Sequence, residues 1–179
     1  MRSEPVADIA FRPFTRADLP LLATWLDAPH VARWWRRDDP SFDALEARYG
    51  PAIDGDDPTR LFLVLADGVP VGFCETYLHA DDPAWDRTIG LPDVAGIDYL
   101  IGAPELCGHG LGTAVIGALC ALVFELYPRI GGIASVPQAA NQASRRVLAK
   151  NGFRLVDVRP VESDDPGDSG PAAIYLRER

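Results

Sequence analysis

Three glycines at alternate positions, Gly108, Gly110 and Gly112 in LCGHGLGT, stand just before a long apolar run that ends at Tyr127-Pro128. Glycine lets a ligand approach the backbone. The first N–H groups of a helix have no partner inside it, so an anion such as a phosphate fits there. The spacing is GxGxG. A nucleotide P-loop needs Lys and then Ser or Thr after the last glycine, where this chain has Thr113-Ala114, and the dinucleotide pattern GxGxxG also fails. A glycine turn packed closely against a sheet has the same spacing. Upstream, Asp98 lies in the apolar stretch VAGIDYLIG. Burying a carboxylate there is costly unless it is paired. An amine substrate would pair it and could give it a proton; a strand end at solvent or a structural hydrogen bond would also satisfy it. Cys107 has only His109 beside it as a base, which suits an exposed loop thiol better than a nucleophile.

These groups need elements to hold them. Residues 9–14 read as a strand, followed by Thr15 capping a helix with Asp18 in its first turn. Residues 29–37 suggest a second helix. Residues 41–50 suggest a third, with Ser41 as N-cap and Gly50 near its end. LFLVLA, Asp67-Gly68 and VPVGFCETYL form a hairpin signal. Residues 79–93, rich in Asp and Pro, read as a loop, and 94–102 as a central strand. The helix 111–127 stops at Pro128. A strand at 129–136, a helix opening near Asn141 and closed by Gly152, a strand at 153–161, a flexible turn and a last strand complete the chain. This order predicts one domain over residues 1–179 of the α/β (α+β) class, with a mixed central sheet flanked by helices.

The 179 residues suffice for one sizeable core. The net charge of −9 disfavours a nucleic-acid surface, which needs clustered Lys and Arg. An acidic protein can focus a cationic ligand, and acidity also serves solubility. No apolar leader region opens the sequence, the longest apolar run is too short to span a bilayer, and three scattered cysteines form no metal or disulfide pattern. These features point to a cytoplasmic protein without a metal or a membrane partner, as a monomer or homodimer.

GHGLGT, then a strand, then Asn141 in ANQASRRVLAKNGF resembles the GNAT superfamily of acetyl-CoA-dependent N-acetyltransferases. The resemblance implies a GNAT-like fold with a mostly antiparallel sheet. It implies that Gly108, His109, Gly110, Leu111, Gly112 and Thr113 hold the CoA pyrophosphate through loop amides. Tyr99, Leu100 and Ile101 would pair with the pantetheine arm like an extra strand, and Asn141 would face that arm. Cys107 stands where the family often has Gln or Arg.

FRPFTRADLPLLATWLDAPHVARWW, EARYGPAI, VGFCETY, GIDYLIG and GHGLGT are together similar to the aminoglycoside 6′-N-acetyltransferases over roughly residues 9–178. Siderophore lysine N-acyltransferases share the layout. The resemblance makes Asp98 the base that meets the acetylated amine and the Leu100 N–H the donor to the thioester carbonyl. Trp34, Trp35, Tyr49, Glu75, Tyr77 and Asp82 would line the site for a small cationic amine. Of the Trp pair, adjacent on a helix and so diverging, one is expected in the core and the other in the cleft. Glu75 and Tyr77 alternate with Cys74 and Thr76, so they share one face of their strand; a solvated edge would place Glu75 equally well. Among the loop residues Asp81, Asp82, Asp86 and Asp93, one or two are expected as ligands and the rest as turn formers. Val136 stands where the antibiotic enzymes carry an Asp, and Leu148 where the family often has a Tyr placed to protonate the leaving thiolate.

Overall fold

The computed structural model describes residues 7–168 and 170–179. Residues 1–6, on which the reading of the N-terminus partly rests, and Ser169 of the last turn lie outside the described residues. Strand β1 (Ile9–Pro13) leads through a 3-10 turn into α1 (Leu19–Asp27), α2 (Pro29–Ala32) and α3 (Phe42–Asp54). The hairpin β2 (Arg60–Ala66) and β3 (Val69–Leu78), α4 (Pro83–Ile89) and β4 (Val94–Ile101) come next. Then follow α5 (Leu111–Leu126), β5 (Gly132–Ser135), α6 (Gln142–Lys150), β6 (Arg154–Pro160) and β7 (Pro171–Glu178). The seven strands form one mixed sheet in the order β1-β2-β3-β4-β5-β7-β6. Every neighbouring pair is antiparallel except β4 and β5.

Local chemistry explains most of these elements. Asp67 and Gly68 both take positive φ, 49° and 78°, as a tight hairpin turn requires. At the start of α1, Arg12 clasps the Asp18 carboxylate with two bonds of 2.6 and 2.7 Å, which drops its pKa to about 2 and ties β1 to the helix. In α5 the buried side chains Val115, Ile116, Leu119, Cys120 and Val123 recur at helical spacing. They pack with Ile97, Ile133 and Leu148 on one face of the sheet. On the other face Phe73 and Leu100 lie under Leu19, Leu22, Leu26, Leu45 and Tyr49 of α1 and α3. Fully burying one such aliphatic side chain is worth about 1.5–3 kcal/mol.

Three expectations change. The second helix ends at Ala32, so Trp34 and Trp35 sit in a turn ahead of Asp38-Asp39-Pro40 rather than on a helix. The third helix runs on through Gly50-Pro51 to Asp54 and closes at Gly55, with φ 85°. Gly50 serves packing there, since a Cβ would lie 3.2 Å from the guanidinium of Arg16, which pairs with Glu46 and Asp54. Residues 79–93 are not all loop. Asp82 accepts from the N–H groups of Ala84 and Trp85 at 3.1 Å, and Pro83 opens α4.

Candidate active site

The sheet opens where β4 leaves β5. The two strands pair only from Val94 to Gly96 against Gly132 to Ala134, and β5 ends at Ser135. Beyond this point β4 keeps its pairing with β3 alone. In an antiparallel ladder, successive residues turn their backbone groups to opposite sides. Gly102 donates to the Val71 carbonyl at 2.8 Å, and the Ile101 carbonyl faces away to His30, 2.9 Å from Nε2. The alternation therefore aims the N–H of Tyr99 and Ile101 into the gap and that of Leu100 at β3. The Leu100 carbonyl confirms this direction: a Cβ on Gly72 of β3 would lie 2.3 Å from it. The donor role expected of Leu100 is corrected accordingly. Its N–H is committed to the ladder, and the groups free for a ligand belong to its two neighbours.

Below the gap lies the glycine loop. Gly108 and Gly110 take φ of 84° and 88°, and a Cβ on either would meet nothing within 4 Å. They are exposed and are not packed against the sheet, so close packing does not explain them. Gly110 caps α5 without a side-chain bond. The N–H groups of Leu111, Gly112 and Thr113 open the helix there, as an anion site requires. Gly112 differs, since a Cβ there would touch Val147 of α6 at an ordinary 3.6 Å. His109 is exposed beside these glycines. Asn141 caps α6, its side chain accepting from the Ser144 N–H at 3.2 Å.

Above the gap is a cavity of about 480 Å³. Asp98, Glu75, Tyr77, Trp34, Trp35, Tyr49 and Asp82 all line it, together with Tyr99 and Asn141. Glu75 lies opposite Asp98 in the β3–β4 register, on the same face. Trp35 packs against the core, edge-on to Phe73 at 6.0 Å, whereas Trp34 joins no core cluster of the described residues. Both also line the cavity, so the core member of the pair is not confined to the core. Of the four loop aspartates, Asp81 and Asp82 line the cavity.

Other lining residues gave no sequence signal. Arg48 and Asp57 come from α3 and the turn after it, and Trp85 from α4. Asp165 and Asp168 come from the β6–β7 connection, which folds back over the cavity instead of trailing as a flexible turn. Seven carboxylates thus line the space: Asp57, Glu75, Asp81, Asp82, Asp98, Asp165 and Asp168. Among the described lining residues Arg48 is the one basic side chain. Burial, reinforced by Asp168, pushes the Asp98 carboxyl above its ordinary range, while the neighbouring Tyr77 hydroxyl pulls it back. Burial and the charge of Asp98 push Glu75 up further. The site is therefore short of positive charge. Tyr99 points to the other face of the sheet, its hydroxyl 2.7 Å from that of Ser144. Leu148 is fully buried and offers no polar atom. Among the described residues no group of His, Cys, Asp or Glu is arranged to hold a metal, and no helix is long and apolar enough to cross a membrane.

A parted β4 and β5, a glycine-opened helix beneath and an acidic cavity above agree with the family model for the acetyltransferase (GNAT) domain, which matches residues 15–159. The chain belongs to the GNAT acetyltransferases. Its chemistry is acetyl-CoA-dependent N-acetyl transfer. The aminoglycoside N(6′)-acetyltransferase type 1 of Klebsiella pneumoniae is 29% identical over 175 residues, covering 96% of this chain and 83% of that one. The structure of AAC(6′)-Ib with paromomycin and acetyl-CoA superposes on this GNAT chain with a TM-score of 0.83 and 27% identity, covering 96% and 94% of the two chains. A lysine N-acyltransferase of Mycolicibacterium paratuberculosis is 26% identical over 147 residues, 82% of this chain and 66% of that one.

Proposed function

We propose that this GNAT protein transfers the acetyl group of acetyl-CoA to an amine of a small polycation, the 6′-amine of an aminoglycoside antibiotic in first place. One observation carries the reading: six further carboxylates and a single guanidinium share the cavity with Asp98 where the sheet parts. An aminoglycoside supplies the missing charge through its ammonium groups, and its sugar rings suit the faces of Trp34, Trp35 and Trp85. The full-length similarity to an aminoglycoside acetyltransferase supports the choice.

Acetyl-CoA supplies an activated thioester. In this reading the amides of Gly108 to Thr113 hold its pyrophosphate, and the strand edge at Tyr99 and Ile101 receives its pantetheine arm beside Asn141. The Tyr99 or Ile101 N–H polarises the acyl carbonyl. Asp98 holds the attacking amine and accepts its proton as the C–N bond forms, the thioester C–S bond breaks and CoA leaves as its thiolate. The nearby Tyr77 hydroxyl favours the charged form of Asp98. Acetyl-CoA as donor fits a cytoplasmic location.

A second reading, acyl transfer to a small amine such as a siderophore hydroxylysine, has its own support. Val136 brings an apolar side chain to the cavity wall where the antibiotic enzymes carry an Asp, and a lysine N-acyltransferase is among the relatives. Thiol release from acetyl-CoA separates the two. Turnover with aminoglycosides bearing a 6′-amine, absent with their 6′-hydroxyl analogues, is expected. Turnover with hydroxylysine alone would overturn the first reading in favour of the second.

A further inference from the structure

Arg48 is the anomaly of the cavity. A lining built to attract cations contains one of its own. Its guanidinium donates to Asp165 at 2.7 Å, joining α3 to the β6–β7 connection across the cavity rim. It also lies over the ring of Tyr49, 5.5 Å from its centre. The connection that carries Asp165 is well organised. Asp165 accepts from the Gly167 N–H at 2.7 Å and its own N–H reaches Ser163. Gln138, after β5, donates to the Gly167 carbonyl. The loop thus has contacts of its own that do not need Arg48.

We propose that Arg48 is a specificity-determining residue: its guanidinium is the resident counter-cation of the cavity, standing on Asp165 where a further ammonium group of a substrate would otherwise bind. The proposal rests on the reading that the cavity receives a cationic amine. Guanidinium stays charged at any working pH and holds a carboxylate in a fixed geometry. Its influence extends beyond Asp165, since its charge also lowers the pKa of Glu75 and Asp98. Arg48 therefore sets how many positive charges an acceptor can use. With it in place the site favours an acceptor of fewer charges than its carboxylates alone would take.

A simple clamp makes a different prediction. If the Arg48–Asp165 pair only tied the loop down, removing either partner would loosen the same loop. Both variants would then bind every amine less well, whatever its charge. A counter-cation gives opposite signs. Arg48→Gln leaves the lining one charge more negative, and Asp165→Asn leaves it one charge less negative.

The test is calorimetric titration of putrescine, spermidine and spermine into the protein with CoA, at low and at physiological ionic strength. With Arg48→Gln, binding is expected to tighten by roughly threefold for putrescine, rising to roughly tenfold for spermine at low salt. With Asp165→Asn it is expected to weaken along the same ladder. Arg48→Lys, which keeps the charge, is expected to retain the wild-type ladder. If Arg48→Gln fails to fold, the Asp165→Asn ladder decides alone: weakening that grows with charge supports the proposal, and equal weakening overturns it. Parallel weakening in both variants, no change in either, or no binding of any amine by the wild type would also overturn it. The titration needs no turnover. Absent antibiotic acetylation with an intact ladder would therefore remove the antibiotic reading and leave Arg48 in its role.

Discussion

Asp98 is placed where a carboxylate is uncomfortable. It sits half-buried on the cavity wall, beside Glu75 across the ladder and within reach of the charge of Asp168. In the proposed reading chemistry, not stability, accounts for it, and one substitution separates the two. Asp98→Asn is expected to lower kcat on the accepted amine by at least 100-fold, the usual scale for a positioned base, while the KM for acetyl-CoA stays within about twofold because the glycine loop is untouched. The same variant is expected to melt higher than the wild type at pH 8, by a few degrees, because it removes a buried charge from a group of like charges. Steady-state kinetics and a thermal melt on one preparation check both. A variant that is slower and also less stable would mean that Asp98 is structural. The sequence displayed this residue, because a lone Asp in an apolar strand is visible without coordinates. Arg48, Asp165 and Asp168 were not visible. A charged residue on a helix face or in a DDPGD turn looks like any solvated group until the chain folds it into the cavity.

At the scale of elements, strands and long helices were legible and their edges were not. The Asp-Gly hairpin, the apolar period of α5 and the strand β4 follow from patterns that span many residues. Gly50-Pro51 looked like a helix end because both residues usually break helices, yet packing against Arg16 decided otherwise. Asp82-Pro83 was an N-cap followed by a first-turn proline, hidden in a stretch whose Asp and Pro content reads as loop. The glycine loop shows how much an element's backbone decides. Gly110 holds φ 88° at the cap of α5, with free space where a side chain would stand. Crowding therefore does not oppose Gly110→Ala, but the left-handed backbone does, at about 1–2 kcal/mol. The loop is expected to relax and turn its amides away from the pyrophosphate. The KM for acetyl-CoA should rise by roughly tenfold with the amine KM unchanged. An unchanged acetyl-CoA KM would show that the loop amides are not the phosphate site.

For the whole molecule, the buried ionisable groups oppose one another in pH, and together they set where the fold is most stable. His79 is 1% exposed, and its imidazole nitrogens have no hydrogen-bond partner among the described residues. Burial lowers its pKa to about 4, although Asp86 and Asp82 pull it upward. The unfolded chain binds this proton near pH 6.5, so between these values it carries more proton than the folded state. Stability from His79 is complete above pH 6.5 and is lost as pH falls toward 4, by about 1.4 kcal/mol per unit. Glu75 and Asp98 run the other way. Their folded pKa values lie above those of the unfolded chain, so the fold keeps protons that the unfolded chain has released. Their contribution is complete below the unfolded carboxylate range and is lost as pH rises through their folded values. Between about pH 4.5 and 6 the two carboxylate slopes outweigh that of His79, and above pH 6.5 Glu75 acts alone, so the melting temperature is predicted to fall with rising pH, most plainly along this alkaline limb. His79→Gln, which holds no titrating proton, should steepen the fall below pH 6.5 and leave the alkaline limb unchanged. Glu75→Gln with Asp98→Asn should remove the alkaline limb and leave a rise up to about pH 6.5 through His79. Melts from pH 4.5 to 9 on the three proteins check this, and an alkaline limb that survives the double substitution would mean that the acidic cavity does not strain the fold. A surviving limb would also weaken the case for a polycation, because a cavity whose carboxylates cost nothing when empty gains correspondingly less when an ammonium group enters it.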